Sequence, residues 1–136
     1  MIYLRVIGCI LMALWGYVLV NRQINTAIST ESVIKVDGLL NVWGSYAIAL
    51  IFTYLTIYYF KEKLSLSLRI GDINRVLIIL TLIIAPLFSL ANYSQSKSNI
   101  ANYVECKNER SFSSRYSSRT YAVNEEVCLA LEASSD

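Results

Sequence analysis

The residues best suited to covalent chemistry in this chain are its three cysteines, Cys9, Cys106 and Cys128. Cys9 lies in an apolar block, where a cysteine behaves as a small apolar side chain. Cys106 and Cys128 lie in polar sequence, and two such cysteines favour a disulfide where their segment faces an oxidising compartment. The bond would close a loop of about 22 residues and would stabilise the folded state by about 3 kcal/mol in the chain-entropy model. Its formation depends on the compartment, which the topology of the chain must decide.

Residues for acid–base catalysis and metal binding are scarce. The chain has no histidine, which removes the commonest general base and the commonest metal ligand. It also lacks a phosphate-binding glycine loop, a nucleophile elbow and a zinc-ligand spacing. Four carboxylates lie close together in polar sequence, where carboxylates are usually solvent-facing charges: Glu105, Glu109, Glu125 and Glu126. The sequence therefore predicts no catalytic residue, no cofactor and no metal site.

The distribution of charge points to a membrane. Only 16% of the residues are charged, whereas soluble domains have about 25%. Three blocks of low charge, about 2–20, 39–60 and 76–93, are long enough to cross a bilayer as helices. Residues 1–93 are thus predicted to form a three-helix transmembrane region, followed by a polar tail over 94–136. We expect the first helix to be retained; a cleaved signal peptide and a lipid attached at Cys9 are the alternatives.

The predicted spans contain few polar groups. The second and third have no Asp, Glu, Lys, Arg or His, which disfavours a pump or transporter. Pro86, the only proline, is predicted to kink the third span, either as a fixed packing feature or as a hinge. Small residues of the second span are predicted to let a neighbouring helix approach closely: Gly44, Ser45, Ala47 and Ala49.

The loop from Lys61 to Arg75 sets the predicted orientation, because short loops rich in Lys and Arg stay in the cytoplasm. The N-terminus is then cytoplasmic, and the polar loop 21–38 and the tail are extracytoplasmic. This orientation puts Cys106 and Cys128 in an oxidising space, so a Cys106–Cys128 disulfide is predicted. The expected location is the bacterial inner membrane, with a periplasmic tail.

The polar segments are predicted to have little regular structure. Loop 21–38 is rich in Ser, Thr and Asn, which is typical of a solvated loop or one short helix. In the tail, Asn124 followed by Glu125 and Glu126 predicts a short helix that ends near Glu132. The tail has too little apolar surface for an independent core unless the disulfide supports it.

Arginine and tyrosine concentrate between the two tail cysteines, and these residue types carry much of the binding energy at protein interfaces. The sequence Ser-Ser-Arg at 113–115 recurs at 117–119 and is most simply a solvated loop or turn. The alternative is a partner contact. The residues predicted for that contact are Arg110, Arg115, Tyr116, Arg119 and Tyr121.

The tail contains two segments that begin with a tyrosine and end with a cysteine, Tyr-Val-Glu-Cys at 103–106 and a longer one at 121–128. They follow three predicted apolar helices, the third of which contains Pro86. This pattern resembles a family of very small enterobacterial inner-membrane proteins over nearly the whole chain. Small multi-span proteins of this build are similar to immunity proteins, which protect a bacterium from its own membrane-targeting toxins. The similarity to immunity proteins rests on the number of spans and the small size of the chain, and not on a shared sequence motif.

The predicted fold is all-α: three transmembrane helices with a small disulfide-closed extracytoplasmic C-terminal tail. The predicted function is non-enzymatic recognition of a protein partner at the bilayer. An immunity protein that neutralises a membrane- or periplasm-acting toxin is the favoured case, and an accessory subunit of a larger membrane complex is the alternative. The net charge of +2 is too small to indicate nucleic acid, and no small-molecule substrate is expected.

Overall fold

The computed structural model describes residues 2–65, 70–113 and 116–135 of the chain. In these residues the elements follow one another as α1 (Ile2–Ile28), β1 (Val33–Asp37), α2 (Leu39–Leu64), α3 (Ile73–Ile79), a π-helical segment (Leu80–Ile84), α4 (Ala85–Asn99), β2 (Val104–Phe112), β3 (Ser117–Ala122) and α5 (Glu125–Ser135). The segment from α3 to α4 is one continuous helix.

Three helices of the described residues are long and apolar enough to cross a membrane, with 26, 26 and 27 residues. This finding is consistent with a membrane protein and agrees with the three predicted spans. Each helix continues beyond its predicted span: α1 runs to Ile28, and the third helix runs from Ile73 to Asn99. The third helix has a side-chain cap at its start, since the Asp72 carboxylate accepts hydrogen bonds from the backbone N–H groups of Asn74 and Arg75.

The all-α prediction is wrong in one respect, because the chain also forms a three-stranded antiparallel sheet in the order β1-β3-β2. The segment expected to be a solvated loop around Arg119 is the central strand of this sheet. The first strand comes from the loop before the second span. Its sequence, Val-Ile-Lys-Val-Asp, alternates in polarity, and its β-branched residues favour extended backbone. Leucine and serine also alternate over 64–70, which predicts an extended or interfacial segment, but residues 66–69 of this run lie outside the described residues.

The register of the sheet joins distant parts of the chain. Ile34 pairs with Tyr121, and Val36 pairs with Arg119. On the other side of β3, Glu105 also pairs with Tyr121, and the register then shifts between Cys106 and Ser111 as the chain bulges. Because paired residues of antiparallel strands point to the same face, the side chains of Ile34, Tyr121 and Glu105 share one face of the sheet.

The chain divides into two compact units. The first comprises Met1–Asn21 and Trp43–Ser89. Within it, α1 buries Val6, Cys9 and Ala13, which recur at helical spacing. Gly16 continues that face: a methyl group at Gly16 would lie 2.7 Å from the backbone nitrogen of Ala49, so α1 and α2 approach without room for a side chain. Such close packing was predicted for Gly44, Ser45, Ala47 and Ala49. It occurs at Ala49, whereas a methyl group at Gly44 would meet no described atom within 4 Å.

Pro86 follows directly after a change in the hydrogen bonding of its helix. The Ala85 N–H donates to the Leu80 carbonyl, five residues back, and closes the π-helical segment Leu80–Ile84. Such wide turns relieve the clash between a proline ring and the preceding turn of a helix. The described geometry therefore gives the predicted kink a local cause.

The second unit comprises Arg22–Val42 and Leu90–Asp136, so it unites the first polar loop with the tail. Its apolar core consists of Ile34, Val36, Ile100 and Tyr121, with Tyr93 and Tyr103 packed against it. Half of the four core residues come from the loop strand β1. The tail thus obtains from a distant segment much of the apolar surface that its own sequence lacks.

Candidate interaction site on the disulfide-closed unit

The disulfide between Cys106 and Cys128 is present, as predicted. Its Cα atoms are 5.4 Å apart, within the range usual for disulfides. Cys106 lies buried in β2, and Cys128 lies in the first turn of α5. That helix starts where the sequence predicts, since the Asn124 side chain accepts a hydrogen bond from the Val127 N–H at 3.0 Å. The disulfide therefore ties α5 to the sheet, while Cys9 is a buried free thiol.

Two of the predicted contact residues are brought together by a carboxylate. Glu105 Oε1 lies 2.8 Å from Arg110 Nε and 3.8 Å from Arg119 Nε. The hydrogen bond from Arg110 lowers the pKa of Glu105 below its ordinary value, and the charges of Arg110, Arg119 and Lys97 lower it further. One carboxylate thus serves two guanidinium groups, whose side chains remain 35% and 47% exposed. The result is a partly exposed cluster of two cations around one carboxylate.

Tyr116 lies apart from this pair. It is 37% exposed, and its hydroxyl donates a hydrogen bond of 2.6 Å to Asp37 Oδ1. Burial of part of the ring raises the pKa of Tyr116, and the hydrogen bond to Asp37 raises it further. The other oxygen of Asp37 accepts a hydrogen bond from the buried Gln23 amide at 2.6 Å. Tyr116 therefore contacts the loop segment as well as the tail.

Tyr121 is a member of the core, with only 7% of its surface exposed. Its hydroxyl lies 3.3 Å from Nζ of Lys97, which donates to it. This position suits support of the sheet, and direct contact by Tyr121 stays a prediction. Arg115, the remaining predicted contact residue, lies outside the described residues.

The residues that sequence reasoning missed are those that connect the loop to the tail. Asp37 of the loop accepts hydrogen bonds from Tyr116 of the tail and from Gln23. Within the tail, Lys97 donates a hydrogen bond to Tyr121. The signal was partly present, because the alternation of Ile34, Lys35 and Val36 before Gly38 is typical of a strand that ends at a turn. A strand needs a partner, however, and the sequence does not say which segment supplies it.

The described residues hold no group of three or more His, Cys, Asp or Glu side chains arranged to bind a metal ion. Glu109, Glu125 and Glu132 line a cavity between β2 and α5, where the Asn108 amide donates to the Glu132 carboxylate. Comparison of the chain with family models, curated proteins and solved structures finds no match.

Proposed function

We propose that this chain is a bacterial inner-membrane protein that recognises another protein through its disulfide-closed unit, without catalysis. Within that class we favour an immunity protein that neutralises a membrane- or periplasm-acting toxin. The observation that carries the proposal is the union of the two polar segments into one stapled unit with exposed arginine and tyrosine side chains. A protein that only filled space in a bilayer would have no need of such a unit.

The sheet supports the proposed sidedness. β1 follows one candidate span and β3 follows three, so both lie on the same side of a membrane that all three helices cross. Their pairing in one sheet requires that arrangement. The loop that contains Lys61, Lys63 and Arg75 falls on the other side, as expected for a cytoplasmic loop.

The disulfide supports the choice of compartment. Disulfides persist in the periplasm and are rare in the reducing cytoplasm, which favours a periplasmic second unit and a cytoplasmic N-terminus. A reporter that is active only in the periplasm tests this topology. It should be active when fused at the C-terminus and inactive when fused within the Lys61–Arg75 loop, and the reverse pattern would exclude the proposed orientation.

The chemistry of the exposed surface supports recognition of an acidic partner. Arg110 and Arg119 are held against one carboxylate, and their side chains remain 35% and 47% exposed. Arginine is favoured at interfaces because its planar fork binds carboxylates in a defined geometry. A positive surface also increases the rate at which an acidic partner associates.

A protection assay tests the favoured function. Susceptible bacteria that express the chain are challenged with a panel of pore-forming and cell-wall-directed bacterial toxins, and surviving colonies are counted. Protection should be specific for one toxin or a few related ones. Replacement of Arg115, Tyr116 and Arg119 together by Ala should abolish protection while the protein still accumulates in the membrane.

The matched control replaces Lys35, Glu31 and Ser29 by Ala. These residues lie in the loop segment, and Lys35 pairs with Thr120, so its side chain points to the face of the sheet opposite to that of Arg119. This control should protect like the wild type. If cells that express the Arg115, Tyr116 and Arg119 variant survive as well as cells that express the wild type, the proposed surface is excluded. Protection against no toxin, combined with stoichiometric copurification with a membrane complex, would identify an accessory subunit instead.

A further inference from the structure

The second unit contains a cavity of about 230 Å³ that shares Arg119 and Tyr121 with the predicted contact residues and adds Lys97 to them. The sheet, the last turns of α4 and the start of α2 line it. Its lining includes two cations, two tyrosines and the residues that precede and start α2: Lys97, Arg119, Tyr93, Tyr121, Gly38 and Leu39. Drug-sized ligands occupy cavities of about 300–1,000 Å³, so this one suits a smaller group.

Positive charge dominates the lining of the cavity. Nζ of Lys97 lies between two tyrosine rings, 5.8 Å from the centroid of Tyr93 and 5.6 Å from that of Tyr121. Among the described residues no carboxylate lies within 4.0 Å of this Nζ. Arg119 shares Glu105 with Arg110 and is the more distant of the two arginines. Both cations therefore retain capacity for an anion.

The one acidic residue in the lining is already satisfied by neutral donors. Asp37 accepts hydrogen bonds from Gln23 on one oxygen and from Tyr116 on the other. It therefore does not occupy Lys97 or Arg119. Tyrosine rings beside an ammonium group stabilise it without supplying a negative charge, so they hold Lys97 in place for a ligand.

The chain positions around the cavity lie at the ends of two candidate spans. Leu39 is the first residue of α2, and Tyr93 follows the apolar part of the third helix. Tyrosine and lysine at such positions are found at the level of lipid headgroups. An anion at that level is most abundantly the phosphate of a phospholipid.

We propose that this cavity binds the phosphate-bearing headgroup of an anionic phospholipid, with Lys97 and Arg119 as its cationic ligands. Lys97 supplies a point charge, and Arg119 supplies paired N–H donors that match phosphate oxygens. Free phosphate has the same chemistry, and the aliphatic side chain of Leu39 at the cavity favours the lipid as its source. This proposal does not depend on the immunity function.

Native mass spectrometry of the full-length, oxidised protein in mild detergent tests the proposal. The protein is titrated with phosphatidylglycerol or with phosphatidylcholine, and the affinity for the first bound lipid is measured. The wild type should prefer phosphatidylglycerol. Lys97→Gln should weaken that binding about fivefold, since each basic residue near a membrane contributes about 1 kcal/mol to the attraction of anionic lipid.

Two controls keep the result specific. Lys35→Gln removes an exposed lysine of β1 and should leave the affinity unchanged, which separates the cavity from the general attraction of all basic residues. Lys97→Arg keeps the charge and should retain the preference, which separates loss of charge from loss of folding. Lys97→Gln with Arg119→Gln should bind both lipids equally.

Three outcomes would overturn the proposal. The first is equal loss of phosphatidylglycerol binding in Lys97→Gln and Lys35→Gln. The second is displacement of the lipid by excess inorganic phosphate, which would make free phosphate the ligand. The third is unchanged lipid binding in the double variant together with loss of toxin protection in Lys97→Gln alone, which would assign the cavity to an acidic side chain of a protein partner.

Discussion

The indole Nε1 of Trp43 in α2 donates a hydrogen bond to the carbonyl oxygen of Thr81, 3.0 Å away. In a regular α-helix that carbonyl would accept from Ala85, but the Ala85 N–H donates to Leu80 instead. The next backbone group along the helix belongs to Pro86, which has no N–H. Trp43 therefore supplies the donor that Ala85 and Pro86 do not.

Trp43→Phe should destabilise the protein by about 1–3 kcal/mol, because it leaves a carbonyl without a partner in apolar surroundings. The loss should be smaller when Pro86 is replaced by Ala, since that change restores a backbone N–H near Thr81. Thermal unfolding of the two single variants and the double variant in detergent measures this coupling. Trp15→Phe, at an exposed position on α1, is the control. Additive effects of Trp43→Phe and Pro86→Ala would argue against a coupling between Trp43 and Pro86. Pro86 would then act independently, in packing or as a hinge.

Gly16→Ala should destabilise the contact between α1 and α2. The added methyl group would lie 2.7 Å from the Ala49 nitrogen and 2.8 Å from its Cα, and neither backbone atom can move alone. A lower melting temperature in detergent is expected, with a cost of about 1–3 kcal/mol. Gly8→Ala is the matched control on the same helix, because a methyl group there meets no described atom within 4 Å. Equal stability of the two variants would contradict the close approach.

Cys128→Ser should destabilise the second unit by about 3 kcal/mol through loss of the closed loop. Thiol alkylation of unreduced membranes should leave Cys106 and Cys128 unlabelled in the wild type, and the denatured protein should show one free thiol, that of Cys9. In the variant, Cys106 becomes a second alkylation site. Labelling of Cys106 in the unreduced wild type would exclude the disulfide and weaken the periplasmic assignment.

Acid should destabilise the second unit through Glu105. The pKa of Glu105 is lower in the folded protein than its ordinary value of 4.5, so the unfolded chain binds the proton more readily. The contribution of the Glu105 carboxylate to the free energy of unfolding is therefore complete above pH 4.5. It is lost as the pH falls through the lower pKa that Glu105 has in the folded protein. Glu105→Gln should lose stability at neutral pH and should have a flatter acid limb in unfolding experiments. Glu31→Gln, at an exposed position, should follow the wild type. If Glu105→Gln lost stability in acid as steeply as the wild type, the ion pair between Glu105 and Arg110 would be contradicted.

The spans and the disulfide were predictable from the sequence because each rests on a local signal. A long uncharged block such as 39–60 needs no distant partner to be helical in a membrane. Cys106 and Cys128 are the only cysteines in polar sequence, so their pairing has one solution. The start of α5 at Asn124 rests on a local cap in the same way.

The sheet was not predictable because it depends on a distant pairing. Val33–Asp37 and Ser117–Ala122 each have strand-like sequences, yet each is too short to indicate a sheet alone. Tyr121 seemed a contact residue because its type is common at interfaces. It lies in the core because Ile34 and Val36 arrive from the other segment to cover it. The π-helical segment was likewise not foreseen, although Pro86 indicated where the helix departs from regular geometry.

The pairing of β1 with β3 also fixes an order of events during synthesis. The paired residues are separated by 81 positions at Asp37 and Ser118 and by 89 at Val33 and Ala122. At about 5–20 residues per second, a ribosome needs roughly 4–18 s to complete β3 after β1 has emerged. During that interval Ile34 and Val36 lack their cover, and two more long apolar helices are made before it arrives. A nascent chain that stalls before β3 keeps this strand exposed, so proteases and chaperones can tell an unfinished copy from a complete one.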